Sequence, residues 1–117
     1  MEATRAAPRP MRHTRFNANI TRVIYEWDAG KAASNLRRHK ISFAEATSVY
    51  LDPAALTFSD PDHSDEEDRE ITIGTSAKQR ILFVSYCTRE ERIRIISARK
   101  ATRRERNQYA KRIGGND

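Results

Sequence analysis

The sequence predicts an α+β fold: two helices packed on a four- to five-stranded antiparallel sheet, followed by a short C-terminal helix. Three observations carry this. Apolar residues recur at helical spacing between positions 29 and 50, the period changes to two between 55 and 98, and a capping-box pattern restarts a helix at Thr102. The chain has 117 residues, room for one core, and its 38% hydrophobic and 32% charged residues suit a globular domain with enough apolar surface to offset chain entropy.

Residues 1–22 show neither period, contain two prolines and carry five arginines against Glu2. They read as a disordered basic arm or the product of an early start site, because the transit-peptide composition comes without an amphipathic stripe. The folded domain is expected over 23–113. "RVIYEW" is the first strand candidate, and Asp28 after it is placed to cap a helix. Ala29, Ala32, Ala33 and Leu36 fall at i, i+3, i+4 and i+7, one apolar face, and the helix ends near His39. Ser42 and Glu45 form a second capping box, Phe43, Ala46, Thr47 and Tyr50 continue the helical spacing, and Asp52-Pro53 stops it. "ALTFS", "EITIGTS", "RILFVSYCT" and "RIRIISA" then read as four strands joined by polar turns at 77–79 and 89–91, an antiparallel meander with helices over one face. In "RIRII" the alternation turns Ile93 and Ile95 inward and Arg92 and Arg94 outward. The last helix, capped by Thr102 and Glu105 and ending near Gly114-Gly115, offers only Tyr109, Ala110 and Ile113 for burial. Arg103, Arg104, Arg106, Lys111 and Arg112 form its exposed side.

The net charge of +6 is unevenly distributed. Residues 60–70, "DPDHSDEEDRE", carry seven acids against Arg69, whereas residues 89–113 carry ten basic and three acidic side chains. Such a basic C-terminal region attracts a polyanion, since each phosphate neutralised releases counterions. The alternative reading is a solvated surface. The acidic run reads as a solvated loop or as a surface for a basic partner. The single Cys87 is expected to be a packed thiol, and His13, His39 and His63 lie too far apart, without cysteine companions, for a zinc site. No Walker loop, dinucleotide fingerprint or H-E-x-x-H signature is present, and no cofactor is expected. No apolar run approaches the ~18 residues of a membrane span, so no membrane association and a cytoplasmic location are expected.

"YEWDAGKAASNLRRHKISFAEATSVYLD", "DPDHSDEEDREITIG" and "IRIISARKATRRERNQY" together resemble the BrnT family, toxins of bacterial type II toxin–antitoxin pairs, over about residues 23–112. The resemblance implies a fold similar to RelE-type ribonucleases and a metal-independent endoribonuclease that arrests growth by degrading RNA. It also implies a cognate, BrnA-like antitoxin of ribbon-helix-helix type that neutralises the toxin in a hetero-oligomer and binds operator DNA.

Carried onto this sequence, the resemblance points to Trp27, Asp28, Lys31, Asn35, His39, Glu67, Arg69, Arg94, Arg99, Lys100, Arg106 and Tyr109. The expected catalytic set is Glu67, Arg69, Arg94, Arg99, Lys100 and Tyr109. The expected RNA-binding set is Trp27, Lys31, His39, Arg92, Arg103 and Arg106. The chemistry would be attack of a 2′-hydroxyl on the adjacent phosphorus, leaving a 2′,3′-cyclic phosphate, with arginine forks taking the growing charge. Glu67 is the candidate base, and Tyr109, Lys100 or His39 the candidate acid. Each residue also has a structural reading: Trp27 as a core-edge aromatic, Asp28 as a cap, Lys31 and Asn35 as solvated helix residues, His39 at a helix C-terminus, Glu67 and Arg69 as an ion pair, Tyr109 packed on the sheet. The arginines around the last strand are expected to share one pocket. A non-catalytic nucleic-acid-binding or partner-binding module of a repressor complex is the alternative.

Overall fold

The structure is a computed structural model that describes residues 23–62 and 68–114. The basic arm, the loop residues 63–67 with His63 and Glu67, and the Gly115 end of the last helix lie outside the described residues. In chain order the elements are β1 (Ile24–Glu26), α1 (Ala29–His39), α2 (Phe43–Thr47) with a 3-10 turn over Ser48–Leu51, β2 (Leu56–Ser59), β3 (Arg69–Thr75), β4 (Ile81–Arg89), β5 (Arg92–Lys100) and α3 (Arg103–Gly114).

The five strands form one sheet in the order β1-β5-β4-β3-β2. Strands β2 to β5 make the expected antiparallel meander, but β1 pairs parallel to β5, so the sheet is mixed. The physical reason is the intervening α1 and α2: the chain crosses over the sheet before returning, and a crossover can place a strand parallel to its neighbour. The helices do not share one face either. Phe43, Ala46 and Val49 from the α2 region pack with Leu82, Val84, Tyr86, Ile95 and Ala98 in one cluster. Tyr109 of α3 packs with Ile71 and Ile73 in a second cluster, and the strand alternation places those residues on the opposite face.

Local capping signals hold. Asp28 accepts from the Lys31 N–H at 2.9 Å, and α1 ends at His39 with Lys40 in the left-handed region. Thr102 and Glu105 make the full reciprocal box, at 3.2 and 2.8 Å. Ser42 caps α2, but the Glu45 carboxylate turns instead to Arg80 and Ser76. Those bonds, led by the one from Arg80, outweigh the effect of burial and hold the Glu45 carboxyl below the usual carboxylate range.

The expected apolar stripe of α1 is out of phase. Ala33 is exposed and Leu36 half exposed, while Asn35 is buried. Beyond Arg94, β5 has outrun its short neighbour β1, and the Asn35 amide serves as a substitute strand. Its Nδ2 donates to the Ala98 and Ile41 carbonyls at 2.8 and 2.9 Å, and its Oδ1 accepts from the Ala98 N–H at 3.1 Å. Buried backbone groups require partners, and that requirement overrides the helical period.

Candidate functional site

Ser85 pairs with Ser97 but Tyr86 pairs with Ile95, so Ile96 is an extra residue in β5, a β-bulge. The bulge reverses the alternation. Ile95 and Ala98, three apart, both enter the helix-covered core. Arg94 and Arg99, five apart, consequently share the other face, which an unbroken strand would not allow.

On that face one cross-strand row runs Arg69, Cys87, Arg94, Glu26, and the next runs Arg89, Arg92, Ile24. The Arg69 and Arg94 backbones are two strand spacings apart, about 10 Å. α3 covers only the far end, where Tyr109 meets Ile71 and Ile73, and among the described residues the helices leave the arginine end open. Glu26 lies beside Arg92 and Arg94, with N···O distances of 3.5 and 3.3 Å. The side chains of Arg92 and Arg94 are 50% and 36% exposed, so these pairs are weak, solvated ones that a phosphate could replace. Arg69 is half-buried and borders a small cleft with Ser59, Asp68, Glu70 and Thr88. Cys87, a buried thiol outside any disulfide, lies between the two arginines.

The remaining expected residues are dispersed. Arg99 lies 3.9 Å over the Phe83 ring and donates two bonds to Glu105, at 2.8 and 3.0 Å. Burial pushes the Glu105 carboxyl up, but bonds from Arg99 and Thr102 outweigh it and the net shift is downward. Lys100 pairs with Leu82 and so belongs to the opposite face from Arg99. Tyr109 is buried, with its hydroxyl bonded to Asp52 and to Thr75. Burial, then the Asp52 carboxylate, raises its pKa. Trp27 meets Phe43 edge-on at 6.0 Å at the margin of the helix-side core. Lys31 and His39 are on α1, which packs with that same side. Arg103 is exposed on α3, and Arg106 donates to the Ala101 carbonyl at 3.1 Å. The single arginine pocket expected around the last strand does not form: Arg92 and Arg94 meet at Glu26, while Arg99 is held elsewhere.

Sequence reading missed Glu26, Asp52 as an anchor for α3, and the Glu45–Arg80 pair. Only Glu26 had a local signal, since alternation in "IYE" sets it opposite Tyr25.

Fold and site define a small α+β domain with one helix-covered sheet face and one partly open, arginine-lined face. The family model described as "Ribonuclease toxin, BrnT, of type II toxin-antitoxin system" matches residues 27–105, and the chain belongs to this family. Membership implies an antitoxin partner. The crystal structure of the Brucella abortus ribonuclease toxin, BrnT, is similar to this chain with a TM-score of 0.55 and 24% identity, covering 71% of this chain and all of the other. At that identity the likeness speaks for the fold. A search of curated proteins gives no match. Among the described residues no helix is long and apolar enough to cross a membrane.

Proposed function

We propose that this toxin is an endoribonuclease that cleaves RNA by 2′-hydroxyl attack, without a metal, and that Arg69 and Arg94 hold the scissile phosphate. The observation that supports this best is the pair's position: one row of one sheet face, at the end that the described helices leave uncovered, fixed by strand pairing on both sides of Cys87. A guanidinium on a rigid strand loses little freedom on binding, and its planar fork matches a phosphorane whose charge increases in the transition state. Arg92, one row along, would bind a neighbouring phosphate. Glu67, two residues before Arg69, stays the candidate base through the family resemblance. Glu26, beside Arg94, is a second carboxylate near the site.

Arg99, Lys100 and Tyr109 have weaker claims, because their head groups are held by Glu105, turned to the other face, or used by Asp52. The relation to RelE-type ribonucleases, the ribbon-helix-helix antitoxin and operator binding through it belong to this same proposal. Incubation with RNA in EDTA, followed by end-group analysis, tests the reaction: a 2′,3′-cyclic or 3′-phosphate end supports it, and intact RNA refutes it. The internal pairing of Arg99 and Tyr109 favours the second reading, a module that binds nucleic acid without cutting it. Salt-sensitive binding with no cleavage would be its signature.

A further inference from the structure

A groove of about 400 Å³ lies on the α3 half of the same face, away from the Arg69–Arg94 row. Its floor is apolar: Phe58 of β2, Ile71 of β3 and Phe83 of β4. Among the described residues its rim is acidic, with Asp60 and Asp62 from the turn after β2 and Glu105 from α3, against Arg104. Phe58 is 37% exposed on an edge strand, a large aromatic that the fold leaves uncovered. The groove lies at the start of the acidic run 60–70, and its Asp60 and Asp62, which take no part in the proposed RNA chemistry, would repel a phosphate chain.

The chain itself shows what such a surface holds. Arg99 lies on Phe83 with both its terminal nitrogens on Glu105, an aromatic face and a carboxylate together gripping one guanidinium. Phe58 and Asp62 offer the same combination across the groove with no arginine of this chain described on them. A guanidinium on an aliphatic stem fits this chemistry: the stem covers Ile71, the planar head stacks on the ring, and the rim accepts its N–H groups. We infer that the groove seats an arginine from a basic segment of the antitoxin, so that this partner is anchored beside the RNA face and not only upon it.

This rests on the toxin–antitoxin reading, and the test separates the two. The toxin is coexpressed with the product of the neighbouring small open reading frame, and the affinity of that complex is compared for wild type, Phe58→Ala and Asp62→Lys. Each variant is expected to weaken binding about tenfold or more, while RNA cleavage by the free variants stays within about twofold of wild type. Affinities equal to wild type overturn the inference and leave the toxin reading standing. So does a loss of cleavage with antitoxin affinity retained, which would make the occupant a nucleobase. Should the neighbouring product not bind wild type at all, the partner reading fails. The groove is then decided by titrating the toxin with acetyl-arginine methylamide against acetyl-norleucine methylamide: Phe58 ring signals that move only with the arginine compound support the seat, and unmoved signals overturn it.

Discussion

The two faces of the sheet are built on different terms. The helix side buries Ile41, Phe43, Ala46, Val49, Leu82, Val84 and Ile95 at 2% exposure or less, and among its buried polar groups Asn35 is bonded through both ends of its amide. The other side has a buried core of four residues, Ile71, Ile73, Ala101 and Tyr109, and its end away from α3 carries Arg69, Arg89, Arg92 and Arg94. The difference teaches where the stability resides. One face holds the fold strongly enough that the other can keep like charges in a row, which costs folding energy unless an anion is present.

Breaking the helix side should therefore have the largest effect. Asn35→Leu leaves the N–H and carbonyl of Ala98 and the Ile41 carbonyl without their partner, and at 1–3 kcal/mol for an orphaned buried group the loss should total about 3 kcal/mol. Urea denaturation should show it, with a melting point lower by about 15 °C. A loss under about 1 kcal/mol would mean that water, not Asn35, satisfies this edge.

Acid should act on both faces. Glu45, Asp52 and Glu105 all have folded-state pKa values below the ordinary carboxylate range. For Asp52, burial pushes upward but the Thr75 N–H, Tyr109 and the Ala54 N–H outweigh it. A depressed folded pKa means that the unfolded chain binds more protons, so the stability is present above the unfolded value and is lost as pH falls through the folded one. Stability should stay level from pH 7 to about 5 and decline below about 4.5. Denaturation midpoints across that range check it, and Glu45→Gln should flatten the decline.

Tyr109→Phe probes the thinner face alone. It removes a hydroxyl shared by Asp52 and Thr75 and should cost about 1–1.5 kcal/mol. Amide exchange should accelerate in α3 and leave the Ile95–Ala98 stretch protected, because α3 is held by few buried groups. Equal acceleration in both would show the two faces to be one cooperative unit.

The charged row responds to RNA and not to denaturant. Arg94→Ala should leave the denaturation midpoint nearly unchanged, weaken RNA binding about tenfold and reduce the salt slope by about one ion. Lys31→Ala, on the helix side, should change neither. Equal effects from both variants would remove the assignment of RNA to one face.

What was legible in the sequence follows the range of the interaction. The caps at Asp28, Ser42 and Thr102 are decided within three residues, and all were readable. Alternation in β5 was readable up to Ile95 and failed at Ile96, because the bulge depends on how Ser85 and Tyr86 pair across the hairpin. Arg94 could thus be turned outward from sequence, whereas Arg99 could be placed only with its partner strand known. A helical stripe favours Leu36 over Asn35. The opposite outcome arises 63 residues away, at the Ala98 edge. Tyr109 was read both as a catalytic candidate and as a residue packed on the sheet; it is buried, and its bond to Asp52 joins positions 57 apart.

The smallest effect concerns the hairpin that presents the arginine row. β4 ends at Arg89 and β5 begins at Arg92, so Glu90 and Glu91 alone make the turn, with φ of 53° and 67°. A two-residue loop with both φ positive is the turn that matches strand twist, and it favours Asn-Gly because side chains with a full Cβ are strained there. Two glutamates also place negative charge beside Arg89 and Arg92, next to the phosphate path. Glu90→Asn with Glu91→Gly should raise stability by about 0.5–1 kcal/mol in urea denaturation. It should also strengthen RNA binding by a few-fold at low salt, an advantage that disappears at high salt where the removed charges are screened. Greater stability without tighter binding would mean that RNA does not pass this end of the sheet, and would move the phosphate path toward Arg69 and the β3 side.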